Sequence, residues 1–367
     1  MHPLITVRAR VAAQVTALLL SPTPMVAQSL PPLDTPIVAS PLGQRLDAQL
    51  RQLTDSGFSG AVLVALRGQV VLLQGYGSAN LATGERNAPT TRFDFGSITK
   101  TLTGAAILRL DAAGTLSVNE PLSRTLGPVD SSKARATIDH VAKHLSGFVA
   151  AGSSVSDTSR QGFLDRMRTA PGESAPGAQY RYSNAGASLL AAIVEQRSGV
   201  PFERFVRREI FAPAGIQGGF RWELEWNTRR ARGYVGVPGG PPQETQGPPM
   251  DWGIRGATGW IGTVGDVYRF HMALRSGRLL PPAQQARTMD STVTEAYGFH
   301  YEPTSKYGVA LVHKGGDFPG SQSQFLWLPV QDVVIIWANN DQRIRWRDRL
   351  NTMLVSAALA DVAARPR

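Results

Sequence analysis

The chain of 367 residues contains no cysteine, and its hydrophobic residues form no long uninterrupted run. The absence of cysteine excludes disulfides, zinc knuckles, iron–sulfur ligation, a cysteine nucleophile and a lipidated N-terminal cysteine. The apolar stretch 11–20 is far shorter than the roughly 20 residues that a membrane-spanning helix needs. Hydrophobic residues make up 42% of the chain and charged residues 18%, which excludes a disordered chain and predicts a folded core.

Lysine is also scarce, with 5 residues against 33 arginines, and the formal net charge is +10. The basic residues are spread along the chain with no run longer than a pair, whereas nucleic-acid binders usually concentrate them on one face or arm. We therefore interpret the excess as a basic surface and expect no nucleic-acid partner. A membrane or an anionic polymer stays an alternative partner that no further pattern supports.

Residues 1–29 have the pattern of a secretory signal peptide. Arg8 and Arg10 precede the apolar stretch, and small residues follow it, with cleavage expected after Ala27 or Ser29. A buried N-terminal helix fits this segment less well, because two prolines follow the apolar stretch directly. We expect an exported protein, periplasmic or secreted, whose mature chain has no transmembrane segment. The Pro-rich residues 30–42 are predicted to form a loose lead-in.

Hydrophobic spacing organises the remaining residues, 43–367, as one domain. The pattern predicts helices at 43–56, 97–113, 137–144, 185–198, 200–213 and 343–364. It predicts a β-hairpin at 60–66 and 69–75, a loop at 235–250, and strands at 307–313, 324–328 and 333–338. Strands lie at both ends, and residues 115–225 between them are mostly helical. We therefore expect an α/β fold of the α+β type, with one sheet built from both ends and an inserted helical lobe.

The first motif with chemical meaning is Ser97-Ile98-Thr99-Lys100. If Ser97 opens a helix, Lys100 lies one turn further on the same face, and its amine comes within reach of the hydroxyl. A serine hydroxyl becomes a nucleophile only when a base takes its proton, and burial and the helix N-terminus both favour the neutral, basic form of lysine. Taken alone, the motif also fits an N-cap serine beside a solvated lysine.

The second motif is Tyr182-Ser183-Asn184. Side chains at positions i and i+2 of an extended segment point the same way, so the phenol of Tyr182 and the amide of Asn184 would face one cleft. Tyr182 is a candidate to relay the proton of Ser97 to the leaving group, if neighbouring positive charge lowers its pKa. Asn184 is a candidate to hold a substrate carbonyl and to fix Lys100. The alternative is a packed tyrosine with a capping asparagine.

The third motif, His313-Lys314-Gly315-Gly316, is predicted at the end of the apolar strand that precedes it. Glycines let a substrate backbone approach a strand closely, and the amide of Gly316 is a candidate to form an oxyanion hole with that of Ser97. The alternative is a hairpin turn with a surface histidine. Lys314 either supplies positive charge to the site or points to solvent, and the sequence leaves both interpretations open.

Together, the helical S-x-x-K, the Y-x-N about 85 residues later and the H-x-G near the C-terminus form one ordered pattern. This pattern resembles the serine β-lactamase and penicillin-recognising D,D-peptidase superfamily, specifically its class C-like branch, which includes family VIII esterases and D-aminopeptidases. The resemblance covers nearly all of residues 43–341. Flanking segments that share it are Phe58-Ser59-Gly60-Ala61-Val62, Phe95-Gly96-Ser97, His144-Leu145-Ser146-Gly147, Pro171-Gly172-Glu173, Tyr182-Ser183-Asn184-Ala185-Gly186 and Pro319-Gly320.

The resemblance implies an antiparallel sheet flanked by helices, with an inserted all-α lobe and the site between sheet and lobe. It implies that the serine is acylated by substrate and released by water, with no cofactor. The implied catalytic residues are the nucleophile Ser97, its base Lys100 and the second acid or base Tyr182. The implied substrate-binding residues are Asn184, His313, Gly315 and Gly316.

One departure from the family pattern bears on the substrate. Class C β-lactamases usually have lysine where this chain has His313, and a histidine that is mostly neutral at pH 7 attracts a substrate carboxylate less. We therefore expect an exported serine hydrolase that cleaves a small ester or a D-amino-acid amide or peptide in preference to a β-lactam. The alternative is a non-catalytic ligand- or peptidoglycan-binding protein on the same scaffold.

Two other site types are not expected. The pair His140 and His144 lacks a third ligand that would complete a metal site. An α/β-hydrolase needs a G-x-S-x-G elbow, and the chain contains none.

Overall fold

The structure, a computed structural model, describes residues 30–148, 159–228 and 230–364. The predicted signal peptide, residues 1–29, lies outside the described residues. The strands, numbered in chain order, are β1 Ile37–Val38, β2 Gly60–Leu66, β3 Gln69–Tyr76, β4 Ser78–Asn80, β5 Glu85–Arg86, β6 Phe93–Asp94, β7 Gly219–Phe220, β8 Gly233–Val235, β9 Gln243–Thr245, β10 Trp260–Gly262, β11 His300–Glu302, β12 Leu311–Phe318, β13 Ser321–Leu328 and β14 Val333–Asn339.

The helices lie mostly between the strands that come from the two ends of the chain. They are α1 Ser40–Asp55, α2 Thr99–Ala112, α3 Leu122–Leu126, α4 Ile138–Ala142, α5 Arg160–Thr169, α6 Asn184–Ser198, α7 Phe202–Val206, α8 Ala212–Ala214, α9 Leu224–Thr228, α10 Val264–Arg275, α11 Pro282–Arg287 and α12 Arg347–Ala364. Two 3-10 turns, Gly96–Ile98 and Ser131–Lys133, and a π-helical turn, Arg207–Phe211, complete the set. Among the described residues, no helix combines the length and the apolar character needed to pass through a bilayer.

A seven-stranded sheet forms the centre of the fold. Its strand order is β1-β3-β2-β14-β13-β12-β11, and every neighbouring pair is antiparallel. Strands β2 and β14 lie side by side although they come from opposite ends of the chain, so that Val64 is paired with Ile335. The prediction of one antiparallel sheet built from both ends of the chain and flanked by helices is therefore confirmed.

The two faces of this sheet belong to two separate hydrophobic clusters. In β2, Leu63 belongs to one cluster and Val64 to the other, because successive side chains of a strand point to opposite faces. The cluster of Leu63 includes residues of α2, α6 and α10, and we call this side of the sheet the lobe face. The cluster of Val64 includes residues of α1 and α12, and we call this side the terminal face.

The Pro-rich segment 30–42 is more ordered than predicted. Residues 37–38 form β1, which pairs with β3, and α1 begins at Ser40 rather than at residue 43. Pro41 occupies the first turn of α1, where the N–H that proline lacks would have no partner within the helix. The helix then buries a stripe of leucines against the terminal face.

Strand β12 is shifted along the chain from the predicted strand 307–313, since it begins at Leu311 and ends at Phe318. The sequence pattern ends this strand at His313, but β12 continues to Phe318 and turns into β13 at Pro319-Gly320. Phe318 is paired with Ser321 across this two-residue turn, and Gly320 adopts a φ of +80°, which glycine tolerates. The third motif therefore lies within the strand, where successive residues alternate between the two faces.

The inserted helices position the second motif. Helix α6 begins after Ser183, whose hydroxyl accepts a hydrogen bond from the N–H of Gly186 at 2.9 Å, and it ends at Gly199 as predicted. It packs along α2, and this places Asn184, in its first turn, beside the first turn of α2. The predicted helix 200–213 forms as α7, the π-helical turn and α8 in succession, and the predicted loop 235–250 contains the short strand β9.

Candidate active site

Ser97 lies in the 3-10 turn Gly96–Ile98, where the chain passes from β6 into α2. The carboxylate of Asp94 accepts a hydrogen bond from the N–H of Gly96 at 2.9 Å and so fixes the start of this turn. Gly96 has a φ of +52°, a value that favours glycine. The turn leaves part of the surface of Ser97 exposed, so that a substrate can reach its hydroxyl.

The hydroxyl of Ser97 contacts two of the predicted catalytic side chains. Its Oγ lies 3.2 Å from Nζ of Lys100 and accepts a hydrogen bond from the phenol of Tyr182 at 2.8 Å. Lys100 lies in the first turn of α2, and its Nζ donates to Oδ1 of Asn184 at 2.8 Å. The structure therefore brings together four of the residues selected from the sequence: Ser97, Lys100, Tyr182 and Asn184.

The environment of Lys100 favours its neutral form. Only 3% of the residue is exposed. Burial and the positive charge of Lys314 hold the pKa of Lys100 well below its usual value, against a smaller opposite effect of the Glu295 carboxylate. Lys100 is therefore a base at a pH at which an exposed lysine is an acid.

The hydrogen bonds around this neutral amine leave its lone pair free for the serine. A neutral amine has two N–H bonds and one lone pair. Two carbonyl oxygens, those of Asn184 at 2.8 Å and Ala257 at 2.9 Å, accept the two N–H bonds. The lone pair of Lys100 then faces Ser97, whose hydroxyl donates to it while accepting from Tyr182. This is the arrangement in which a lysine is ready to take the proton of a serine nucleophile.

The condition under which the sequence analysis assigned a proton relay to Tyr182 is not met. The Nζ atoms of Lys100 and Lys314 lie 4.8 and 5.1 Å from the centre of its ring. Even so, burial and the Glu295 carboxylate raise the pKa of Tyr182 above its usual value. Tyr182 is a neutral phenol that donates to Ser97. Lys100 is therefore the better base of the two, and Tyr182 can pass on a proton only by receiving another in exchange.

A buried carboxylate, Glu295, gathers the polar side chains on one side of the site. It forms an ion pair with Lys314 and accepts hydrogen bonds from Nε2 of His300 at 3.0 Å, Nε2 of His144 at 3.3 Å and the phenol of Tyr180 at 3.3 Å. Burial by itself raises the pKa of Glu295, but the charge of Lys314 and the histidine hydrogen bonds outweigh it and hold that pKa well below its usual value. Glu295 is therefore ionised.

His144 links this carboxylate to the second motif. The backbone N–H of Ser183 donates to its Nδ1 at 3.1 Å, so the ring proton must lie on Nε2, which faces Glu295. Burial lowers the pKa of His144, and the ring is neutral at pH 7. The ring also packs against that of Tyr182, with 4.8 Å between their centres. His144 thus holds the phenol in place beside Ser97.

The two faces of β12 separate the residues of the third motif. Lys314 points to the lobe face, towards Tyr182. His313 points to the terminal face, where its Nε2 lies 2.9 Å from Oε1 of Glu302 and its ring stacks on that of His300 with 5.0 Å between centres. The structure therefore does not bring His313 to Ser97. Lys314 occupies the position in the site that was expected for His313. Of the two interpretations left open for Lys314, the structure therefore favours the one in which it supplies positive charge to the site.

The two glycines of the motif also lie on opposite faces. A Cβ at Gly315 would come within 3.2 Å of the Arg347 guanidinium on the terminal face, away from the nucleophile. A Cβ at Gly316 would lie 2.0 Å from the carbonyl oxygen of Phe95, the residue before the turn that carries Ser97. Gly316, and not Gly315, therefore permits the close contact between β12 and that turn.

The amide of Gly316, which the sequence analysis assigned to an oxyanion hole, is directed into the sheet. Phe318 and Ser321 flank a two-residue turn and form a hydrogen-bonded pair, and such pairs alternate along antiparallel strands. Two residues away, Gly316 therefore directs its N–H to β13, whereas Asp317 directs its N–H to the open edge. The amide nitrogen of Asp317 lies 2.7 Å from the position of a Cβ on Gly96. The amide of Asp317 is therefore the one beside the Ser97 turn.

Several groups of the site were not predicted from the sequence. They include Glu295, the carbonyl of Ala257, the ring of His144 and the amide of Asp317. Glu295 and Ala257 lie in residues 251–306, where no motif marked a function. His144 lies in a segment that carried the family resemblance, so a signal for it existed. Its neighbour His140 points elsewhere, because its Nδ1 accepts the N–H of Thr137 in the helix cap that the sequence predicted.

The fold and this site define a class of protein. The family model described as Beta-lactamase matches residues 46–360. That span includes the turn of Ser97, both faces of β12 and the Glu295 cluster. The chain belongs to the beta-lactamase family, whose members are serine hydrolases with esterase and peptidase relatives.

Three similar proteins illustrate the range of this family. PbpX of Bacillus subtilis, named as a candidate penicillin-binding protein, is 28% identical over 299 residues, which are 78% of this chain and 72% of that protein. Esterase EstB of Burkholderia gladioli is 31% identical over 216 residues, which are 53% of this chain and 55% of the esterase. The structure of D-amino acid amidase from Ochrobactrum anthropi superposes with a TM-score of 0.75 at 21% identity, covering 88% of this chain and 100% of the amidase. At that identity the last likeness shows the fold alone.

Proposed function

We propose that this chain is an exported serine hydrolase that forms an acyl-enzyme on Ser97. Its substrate is a small ester, a D-amino-acid amide or peptide, or a β-lactam, with uncharged esters and amides preferred. The observation that carries the proposal is the position of the Ser97 hydroxyl, 3.2 Å from the amine of Lys100 and 2.8 Å from the phenol of Tyr182. A neutral base in contact with a partly exposed serine is what nucleophilic catalysis requires.

In the acylation step, Oγ of Ser97 attacks the carbonyl carbon of the substrate while its proton passes to the lone pair of Lys100. The bond to the leaving alcohol or amine then breaks. The leaving group takes a proton from the Tyr182 hydroxyl, which receives one from the Lys100 ammonium in exchange. The amides of Ser97 and Asp317 donate to the oxyanion, and losing one such donor typically lowers the rate by about 10² to 10³-fold.

The deacylation step uses the same groups in reverse. A water molecule gives a proton to Lys100 as its oxygen adds to the acyl carbon. The bond between that carbon and Oγ of Ser97 then breaks, and the serine regains its proton from Lys100. The acid leaves and the enzyme returns to its starting protonation state, so the cycle consumes one water for each bond cleaved.

The preference for uncharged substrates follows from the pairing of Lys314. Its positive charge faces the site, but the ion pair with Glu295 offsets much of the attraction that it would have for a substrate carboxylate. We therefore place neutral esters and D-amino-acid amides ahead of peptides and β-lactams, which carry a carboxylate. The likeness to an esterase supports the place of esters in this order.

Intact-mass measurement with a fluorophosphonate tests the nucleophile. We expect one adduct on the wild type and none on Ser97→Ala, and we expect the same variant to lose hydrolysis of p-nitrophenyl acetate. Ser276→Ala, which removes an exposed hydroxyl, is the matched control and should behave as the wild type. Full hydrolysis by Ser97→Ala would refute the proposal. An adduct on the wild type without turnover of esters, D-alanine p-nitroanilide or nitrocefin would favour the binding-protein alternative.

Export is a separate part of the proposal and rests on the pattern of residues 1–29 alone. Expression of the full chain in a bacterial host, followed by intact-mass analysis of the periplasmic and medium fractions, tests it. We expect a mature form that begins after Ala27 or Ser29. Recovery of the uncleaved chain in the cytoplasm only would contradict export and leave the acyl-enzyme proposal untouched.

A further inference from the structure

A polar cavity lies between the hairpin β4–β5 and the chain that leads into β8. Its volume is about 380 Å³, and none of the active-site side chains described above lines it. Its wall contains a single carboxylate, that of Glu85. The four arginines of its wall are Arg86, Arg92, Arg230 and Arg232. The cavity therefore carries an excess of positive charge.

Arg92 has a guanidinium nitrogen that the protein leaves without an acceptor. Its Nε is buried and has no hydrogen-bond partner, and its guanidinium stands over the ring of Trp226 at 5.4 Å. Among the residues that the structure describes, neither Arg92 nor Arg86 forms an ion pair. A buried guanidinium nitrogen without an acceptor costs free energy that a bound anion would recover.

Arg230 is held by neutral groups. Only 9% of it is exposed, and it donates to Oδ1 of Asn227 at 2.9 Å, Oε1 of Gln246 at 3.0 Å and the carbonyl of Ala231 at 3.3 Å. Burial and the repulsion of neighbouring arginines, Arg221 first, lower the pKa of Arg230 to about 10. The protein thus buries this positive charge without a carboxylate hydrogen-bonded to it.

The charge balance of the cavity indicates the charge of its ligand. Arg232 has a partner, since its guanidinium lies 3.7 Å from Glu244. Among the described residues, the four arginines are opposed by two carboxylates, Glu85 and Glu244. The Asp94 carboxylate also acts on Arg230, but it is ion-paired with Arg221, so about two positive charges remain uncompensated. Arginine guanidinium groups match the oxygens of phosphate in geometry and in charge.

We propose that this cavity binds a doubly charged oxyanion, a phosphate or a phosphate monoester, at a site separate from Ser97. The proposal stands on the geometry of the arginines and does not depend on the acyl-enzyme. Free phosphate and a phosphate group on a larger molecule share this chemistry, so the test must include both.

Calorimetric titration of the full chain with inorganic phosphate and with glycerol 3-phosphate, at constant ionic strength set with chloride, tests the site. We expect saturable binding of one oxyanion per chain, accompanied by a change in Trp226 fluorescence. Arg92→Gln should raise the dissociation constant by about tenfold or more, which corresponds to the loss of one charge-assisted hydrogen bond. It should also abolish the fluorescence change. Tighter binding of the ester than of phosphate would identify a phosphorylated molecule as the ligand, and equal binding would identify free phosphate.

Two further variants complete the design. Arg204→Gln removes an exposed arginine of α7 with the same change in net charge and should bind phosphate as the wild type does. Ser97→Ala should also bind as the wild type does, which separates this site from the proposed hydrolase. No saturable binding at millimolar phosphate, unchanged binding by Arg92→Gln, or equal weakening by Arg204→Gln would overturn the proposal.

Discussion

Lys314 and Glu295 form an ion pair that is almost sealed from water, with 2% and 0% of their side chains exposed. Removing two charges from water is costly, and their attraction compensates only when the remaining donors and acceptors are also satisfied. Glu295 meets this condition, because His144, His300 and Tyr180 donate to it as well. The ion pair therefore affects both the charge of the active site and the stability of the packing around it.

Glu295→Gln is expected to destabilise the protein strongly. The substitution leaves the Lys314 ammonium buried without its counter-charge, and breaking a buried pair in this way costs about 3–5 kcal/mol. Urea unfolding of the wild type and the variant measures the difference. A second substitution in the same chain, Lys314→Met, removes the unpaired charge and should restore a large part of the lost free energy.

The exposed pair Lys306 and Asp348 supplies the control for this prediction. Their side chains are 59% and 93% exposed, so Asp348→Asn should change the free energy of unfolding by less than about 1 kcal/mol. If Glu295→Gln costs no more than Asp348→Asn, the buried pair does not hold the site together in the way described here.

Lys100→Met is expected to lower turnover by about 10² to 10⁴-fold, the usual contribution of a positioned base.

The same substitution should also change how the free energy of unfolding depends on pH. Because the pKa of Lys100 lies well below its unfolded value of about 10.4, the unfolded chain binds more protons than the folded one between the two values. The free energy of unfolding of the wild type should therefore rise relative to that of the variant as the pH is raised from neutral towards the unfolded pKa of about 10.4.

Denaturant unfolding at several pH values measures this difference. Lys306→Met is the matched control, since Lys306 is exposed and its hydrogen bond to Asp348 raises its pKa slightly. The wild type should show no such rise relative to that control variant. A flat difference between the wild type and Lys100→Met would mean that Lys100 is not neutral in the folded protein.

The residues found from the sequence are those whose geometry is local. Ser97 and Lys100 are one helical turn apart, so a predicted helix sufficed to bring them together. The motif that ends in Asn184 lies where α6 begins, and the cap and the glycine that bound this helix can be read from the chain. The sheet followed similarly from short apolar runs at both ends of the chain. Neighbours in sequence determine each of these elements, whereas contacts between the motifs, such as that of Asn184 with Lys100, were expected because the order of the motifs resembles a known family.

The third motif shows where such reasoning fails. A strand that ends at His313 leaves the direction of each side chain undetermined, whereas a strand that runs to the Pro319-Gly320 turn places Lys314 on the lobe face. A shift of one residue in a strand moves every side chain to the other face. Glu295 could not be found from the sequence, because the residues that pair with it and donate to it come from separate parts of the chain and meet only in the fold.

Gly316→Ala is expected to impair both stability and activity. Its Cβ would lie 2.0 Å from the carbonyl oxygen of Phe95, so β12 or the turn of Ser97 must move. Overpacking of this kind costs about 1–3 kcal/mol, and a displacement of about 1 Å at a reacting group lowers its rate by about 10²-fold. Thermal unfolding and the hydrolysis of p-nitrophenyl acetate measure the two effects.

Gly315→Ala is the control for that substitution, since it adds the same methyl group one residue away on the opposite face. The added Cβ would meet the ends of the Gln324 and Arg347 side chains at 3.0 and 3.2 Å, which requires a much smaller displacement than the 2.0 Å contact at Gly316. It should therefore stay close to the wild type in both measurements. Equal damage from the two substitutions would show that the contact between β12 and the Ser97 turn has no special importance.

The last prediction separates the two basic residues of the third motif. His313→Ala should keep kcat/KM within about twofold of the wild type, because substitutions away from the reacting groups usually change free energies by less than about 0.5 kcal/mol. Lys314→Met, made together with Glu295→Gln so that no buried charge is left unpaired, should lower kcat/KM by about tenfold or more, since it removes a positive charge that faces Tyr182. Steady-state hydrolysis of an ester, with circular dichroism to confirm folding, measures both. A larger loss from His313→Ala than from the double variant would mean that β12 presents its other face to the substrate, and the role that the sequence assigned to His313 would stand.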